Sequence, residues 1–308
     1  MTRAELSDTP ADAIFAEDSS DLREYSLRRH LTGVARGMTL SIAAPFARRW
    51  GRNARQRPHV RIAYYHYVFP DQARLFEDQL RYFADWYRIV PYSEAVQRIA
   101  SRSIDDHYLA ISFDDGFQNN ARVAAPVMDR LGVQAMFFVV TDLVTFGADS
   151  IQPLVAFSRS RFDHRPLRNM TFDDLGALLR SGHEVGSHTV SHRRLSRLPD
   201  EDVRFEVGES KRILEERLAT SVPHFSFPYG TAADFSEAGA RAVREAGYAS
   251  CASAIRGANN AASDVYALRR DHVEAQWPAS HLEYFLSVNF DSPDQPVLRA
   301  ESKWRGSS

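Results

Sequence analysis

From Arg61 onward, short β-rich apolar runs alternate with segments of helical period, and this alternation constrains the fold more than any other feature of the chain. Strands separated by helical segments pair in parallel, so the pattern predicts an α/β fold built on a parallel sheet or barrel. The predicted strands are Ile62 to Tyr67, Tyr108 to Phe113, Gln134 to Val140, His183 to Ser187, His224 to Phe227, Tyr248 to Ala252 and Tyr266 to Val273, with a weaker one near Ile89. Thr171 is placed to cap a helix with Asp174 at its third position, Leu175, Leu178 and Leu179 inward and Gly182 at its end. Val203, Val207, Leu214 and Leu218 mark the inner stripe of the next helix, and Gly247 ends the one after it.

In a parallel barrel, chemistry gathers at the carboxyl ends of the strands, where loops vary without disturbing the core. Three polar clusters fall just past predicted strand ends: Asp114-Asp115, Ser187-His188 and Tyr229-Gly230. The first follows the apolar run Ala110 to Phe113. Two adjacent carboxylates at a buried strand end repel each other unless a cation neutralises one and the other has its own partner. Asp-Asp-Gly is equally the composition of a plain turn.

In Gly186-Ser187-His188-Thr189-Val190-Ser191-His192, two imidazoles stand four residues apart. On a helical turn they would share one side and converge on an ion. The same spacing also fits a solvated helix face. A carboxylate from the Asp114-Asp115 strand end would complete a two-His, one-carboxylate set with coordination positions left for water and substrate. The run His224 to Phe227 enters a Pro228-Tyr229-Gly230 turn, readable as an ordinary turn or as backbone N–H groups facing a pocket, as an oxyanion requires.

Taken together, Ser-Phe-Asp-Asp-Gly, Ser-His-Thr-Val-Ser-His and Phe-Ser-Phe-Pro-Tyr-Gly, in this order, resemble the polysaccharide deacetylase family (NodB homology domain, carbohydrate esterase family 4) from about Ile62 to Val273. The resemblance implies a distorted (β/α) barrel of about seven parallel strands. It also implies Zn²⁺ or another divalent ion such as Co²⁺, Ni²⁺ or Mn²⁺, and removal of acetyl groups from sugars. Position by position, Asp114 matches the catalytic base, Asp115 the metal-binding aspartate, and His188 and His192 the histidine ligands.

Two positions depart from the family pattern. An arginine often stands two residues before the motif proline, but here that residue is Ser226; the chain resembles a subgroup with a Phe-x-Tyr-Pro-Tyr-Gly-like motif that also lacks it. In Leu268-Arg269-Arg270-Asp271-His272-Val273, strand alternation puts Leu268, Arg270 and His272 on one side. The final strand of the resembled subgroup often reads Pro-Arg-Ile-His-Val, which aligns Arg270 and His272 with its polar positions, so the resemblance makes Arg270 the expected support of Asp114. The Leu-x-His motif that supplies a general acid elsewhere has no clear counterpart. His272 is the candidate and His66 the runner-up, although a histidine satisfied on a barrel strand reads the same way. His107, His164 and His183 are read as structural or surface residues. Tyr229, Phe117 and Phe146 are candidates for stacking on a sugar ring, with Phe146 more readily a core residue.

The flanks read differently. Residues 1–58 form an N-terminal extension, acidic and small-residue at first, then a basic amphipathic helix in which Leu31, Val34, Met38, Ile42 and Phe46 make an apolar stripe. Such a helix packs on its own domain or rests peripherally on an anionic membrane surface. Residues 59–290 are the expected deacetylase domain and 291–308 a C-terminal tail. With 38 Lys+Arg against 40 Asp+Glu, no nucleic-acid partner is expected. The single cysteine, Cys251, excludes an intrachain disulfide, and with no secretory signal or spanning run in view the location reads as cytoplasmic, with membrane association through the basic helix. The expected partner is an acetylated amino-sugar glycan or glycan precursor. Alternatives are hydrolysis of a small-molecule amide or cyclic imide on the same scaffold, or a non-catalytic glycan-binding module.

Overall fold

The computed structural model describes residues 15–19, 57–146, 167–278, 281–282 and 286. The predicted basic helix from Leu27 to Arg55, His164, and the tail 291–308 lie outside the described residues.

Eight strands form one sheet in which every pairing is parallel: β1 (His59–Tyr65), β2 (Arg88–Ile89), β3 (His107–Phe113), β4 (Ala135–Val139), β5 (Glu184–Ser187), β6 (His224–Ser226), β7 (Ser250–Ala252) and β8 (Asp271–His272). The order is β7-β6-β5-β4-β3-β1-β8, with β2 added to the first half of β3. Leu268 bridges in parallel to Ala252 at the end of β7, and Asp271 and His272 pair with β1, so the segment 268–272 links the two edges of the sheet. This is a distorted (β/α) barrel. The predicted last strand, Tyr266 to Val273, is regular only at Asp271 and His272, because the segment passes from one edge to the other: Leu268 N–H donates to Cys251, whereas Arg270 N–H donates to the Ile255 loop.

Strand alternation sorts the core into two layers. Ala63, Tyr65, Leu109, Ile111, Phe113, Phe137 and Val139 face outward, packing with α1 (Ala73–Ala84), α3 (Ala125–Leu131) and α5 (Phe172–Arg180). Val60, Ile62, Tyr108, Ala110, Met136, Phe138, Ala252 and Leu268 face inward, where α2 (Tyr92–Ala100) adds Tyr92, Val96 and Ile99. The start of α2 meets an inward polar group: Ser93 N–H donates to the Glu184 carboxylate, and its hydroxyl lies 2.8 Å from His224 Nε2. The short helix α4 (Thr141–Thr145) follows β4, and α6 (Asp200–Leu218) and α7 (Glu237–Glu245) cover β6 and β7 through Val203, Val207, Ala242 and Val243.

Helix ends follow the sequence chemistry. Thr171 Oγ1 accepts the Asp174 N–H while the Asp174 carboxylate accepts the Thr171 N–H, a reciprocal capping box, and Gly182 takes φ +87° after the last turn. Phe15 and Ala16 are buried against Phe69, Phe117, Val140 and Leu143, which lie just past the carboxyl ends of β1, β3 and β4, Leu143 within α4, so part of the N-terminal extension packs on the barrel. Among the described residues no helix is long and apolar enough to cross a membrane.

Candidate metal centre and its carboxylate

β3 runs apolar and buried to Phe113 and then releases Asp114 and Asp115 in opposite senses. Asp114 N–H still donates to Tyr65 O in ladder fashion, so its side chain keeps the inward direction. Asp115 turns left-handed, φ +76°, and Gly116 follows at +92°. Of the six non-glycine residues with positive φ among the described residues, four (Asp115, Thr189, His192 and Tyr229) lie on these strand-end loops. Such conformations cost free energy and collect where function demands a particular side-chain direction.

Asp115, His188 and His192 are buried, and their ligand atoms all lie within 4.8 Å of one another. Asp115 Oδ1 stands 3.5 Å from His188 Nε2 and 3.3 Å from His192 Nε2. Ligand atoms bound at about 2.0–2.1 Å around a tetrahedral ion lie roughly 3.4 Å apart, so the set fits a divalent cation. His188 Nδ1 lies 2.8 Å from Ser226 O, a donation that leaves Nε2 as the lone-pair nitrogen. Burial holds the His188 imidazole below its usual pKa, keeping it in the neutral form a metal needs.

The histidines do not share a helical turn. Residues 188–192 form a loop with Thr189 at φ +71° and His192 at +59°, and His192 N–H donates to Thr189 Oγ1. Convergence comes from two left-handed residues in place of the expected i, i+4 helix geometry.

Asp114 sits beside this set, held by Arg270 through two parallel contacts of 2.7 and 2.8 Å. Arg270 is wholly buried inside the barrel, near the carboxyl ends of the strands. Its other donors reach Ser226 Oγ at 2.7 Å, Ser112 Oγ at 3.3 Å and Ser253 O at 2.7 Å, and its plane lies over the Tyr64 ring. Burial alone would lower its pKa, but the Asp114 carboxylate outweighs it and the net shift is upward, so Arg270 stays cationic. Ser226, where the family pattern has an arginine, instead carries a hydroxyl that meets Arg270 from the end of β6.

Pro228, Tyr229 and Gly230 form a tight turn past β6, closed by Gly230 N–H to Pro228 O at 2.7 Å. A Cβ on Gly230 would stand 2.5 Å from Ala254 N, so only glycine fits. The Tyr229 ring packs 4.9 Å from that of His192, and the Arg194 guanidinium, ion-paired to buried Asp234, covers its other environment at 3.9 Å. His272 and His66 meet edge to face at 5.3 Å, and Tyr64 touches both His272 and Arg270.

The aromatic expectations need correction. Phe117 is fully buried in the cluster with Phe15 and Phe69 and offers no face to a sugar, whereas Phe146, expected in the core, is 57% exposed. Trp277, which sequence reasoning passed over, stands edge-on to His272 at 6.1 Å. Its loop is fixed by the Gln79 amide, which donates to the carbonyls of Glu274, Ala275 and Trp277. His183 and His107 are structural: His183 accepts the Ala135 N–H and faces Asp129, and His107 contacts His59.

Fold and site together define a (β/α)-barrel protein with a two-histidine, one-aspartate centre at the carboxyl ends of its strands. Residues 101–250, just under half of the chain, match the polysaccharide deacetylase family model. YxkH of Bacillus subtilis (strain 168), a provisionally assigned polysaccharide deacetylase, is 21% identical over 200 residues; the match spans 64% of this chain and 63% of that relative's length. In fold the chain is similar to the Streptococcus pyogenes deacetylase PplD, solved in complex with acetate (TM-score 0.62, 18% identity, covering 75% of this chain and 99% of that one). It is also similar to IcaB from Ammonifex degensii (TM-score 0.61, 20% identity, covering 75% and 97%).

Proposed function

We propose that the protein is a metal-dependent carbohydrate deacetylase that removes acetyl groups, N-acetyl before O-acetyl, from an amino-sugar glycan or glycan precursor in surface polysaccharide or glycolipid synthesis. The observation that carries this reading is the buried Asp114 carboxylate, fixed by Arg270 beside the Asp115, His188 and His192 set. A divalent cation in that set, zinc being the first candidate, would supply Lewis acidity for an acetyl carbonyl and for the attacking water. Asp114 accepts the proton of that water, and Arg270 holds the carboxylate in one orientation while it does so. The Tyr229 N–H, in its left-handed turn beside His192, donates to the oxygen of the tetrahedral adduct. His272, paired with His66, passes a proton to the departing nitrogen, leaving acetate and a free amine. Acetate bound to the fold relative PplD is the product this reaction releases.

The test is acetate release from N-acetylglucosamine oligomers, with bound metal measured in parallel. Asp114→Asn should lower release about 10²- to 10⁴-fold while metal content stays unchanged. Wild-type protein that binds metal but frees no acetate from any acetylated glycan would refute the deacetylase reading.

A further inference from the structure

Glu206 is 2% exposed, on the inner face of α6, and among the described residues no lysine or arginine pairs with it. A buried carboxylate without a cation costs several kcal/mol unless its lone pairs are used well. Both oxygens point at one residue: Oε2 accepts the Ser191 N–H at 2.9 Å, and Oε1 accepts the Ser191 hydroxyl. Ser191 immediately precedes His192. One helical turn further along α6, Ser210 Oγ meets Ser187 Oγ at 2.7 Å, on the residue preceding His188. The helix therefore grips the histidine loop at both ends.

That loop cannot hold its shape by local preference. Thr189 and His192 both sit at positive φ, conformations that β-branched and imidazole side chains rarely adopt without tertiary support. Outside α6, the loop's restraints include Thr141 N–H to Thr189 O at 3.2 Å, Asp142 N–H to Val190 O at 2.9 Å, Thr189 N–H to Ser187 Oγ at 3.4 Å, the His192 N–H to Thr189 Oγ1 bond and the packing of the His192 ring on Tyr229. None of these anchors Ser191.

We infer that Glu206 is a positioning residue for the metal ligand His192, acting through Ser191. The inference rests on the metal-site reading above. Partners of metal ligands that fix their orientation typically change affinity 10- to 100-fold when removed.

The experiment titrates full-length protein with Co²⁺, whose visible bands report ligand number and geometry, and measures Zn²⁺ affinity by chelator competition. The variants are Glu206→Ala, Glu206→Gln and Ser191→Ala, each with a urea unfolding midpoint for the metal-free form. Glu206→Ala should weaken Zn²⁺ binding about 10- to 100-fold and alter the Co²⁺ bands. Glu206→Gln, which can still accept the Ser191 N–H and donate to its hydroxyl, should recover most of that affinity even where its midpoint falls. Ser191→Ala should give a smaller loss in the same direction. Wild-type protein that takes up no metal would sink the metal-site reading itself. Wild-type binding with Glu206→Ala indistinguishable from it, or with Glu206→Gln as weak as Glu206→Ala, would overturn the role of Glu206 alone. Should Glu206→Ala fail to fold, the Glu206→Gln and Ser191→Ala affinities decide in the same way.

Discussion

Asp114 and Asp115 are neighbours in sequence, yet their carboxylates answer to different chemistry, one to an arginine and the other to two imidazoles. The division rests on the switch from extended to left-handed backbone between them. Because Asp114 and Arg270 are both buried, removing either partner strands a charge. Arg270→Gln should therefore cost about 3–5 kcal/mol of stability, the range for breaking a buried ion pair from one side. Asp114→Asn combined with Arg270→Gln should cost less than the sum of the two single changes, because no charge is then stranded. Additive losses in urea unfolding would show that the pair is not coupled. Arg270 was legible as a candidate partner because alternation set it on one side with His272 and the resembled family subgroup carries an arginine at the matching place in its final strand. Glu206 was not legible: α6 is rich in acidic residues, and no spacing marks which of them is buried. Trp277 was missed for a related reason, since its place beside His272 depends on Gln79, nearly two hundred residues earlier.

At the scale of elements, β5 shows how little room the barrel leaves. A Cβ on Gly186 would lie 2.5 Å from the Phe138 ring and 3.0 Å from His224 O. The ring has to move, but the backbone carbonyl cannot move cheaply. Gly186→Ala should destabilise by about 1–3 kcal/mol, the usual cost of overpacking a filled core. An unchanged midpoint in thermal or urea unfolding would show that the inner layer repacks freely. Each predicted strand has a counterpart, because apolar runs between helical segments mark buried parallel strands whatever their exact ends. What periodicity could not supply was irregular backbone. Two histidines four apart look the same on a helix as on a loop with two left-handed residues, and only the partners from α4 and α6 decide between them. The last strand failed similarly: its run is long in sequence, but it crosses between two sheet edges.

For the whole molecule, the barrel interior is polar at both ends and apolar between. At the carboxyl ends stand Arg270, Asp114, Ser112 and Ser226; at the other end stand Glu184, Ser93, His224 and Ser250, with Phe138 and Tyr92 among the rings that separate them. His224 bridges Ser93 and Ser250 through its two nitrogens at 2.8 and 2.9 Å, and burial, helped by the Lys211 charge, pulls its pKa from 6.5 down to about 4. In the unfolded chain this imidazole takes up its proton near pH 6.5, while in the folded barrel it stays neutral until about pH 4. Its effect on stability is therefore absent above pH 6.5, grows as a penalty while the pH falls, and levels off near pH 4 at about 3 kcal/mol. His183 and His188 shift in the same direction by burial, so the total acid loss exceeds this one residue's share. His224→Gln isolates that share, since its amide can bond to the same serines but takes up no proton. Urea unfolding at pH 7 and pH 4.5 should give a smaller drop for His224→Gln than for wild type. Equal drops would mean that the interior end opposite the metal centre admits a charge without penalty, and that the barrel is wetter there than its packing implies.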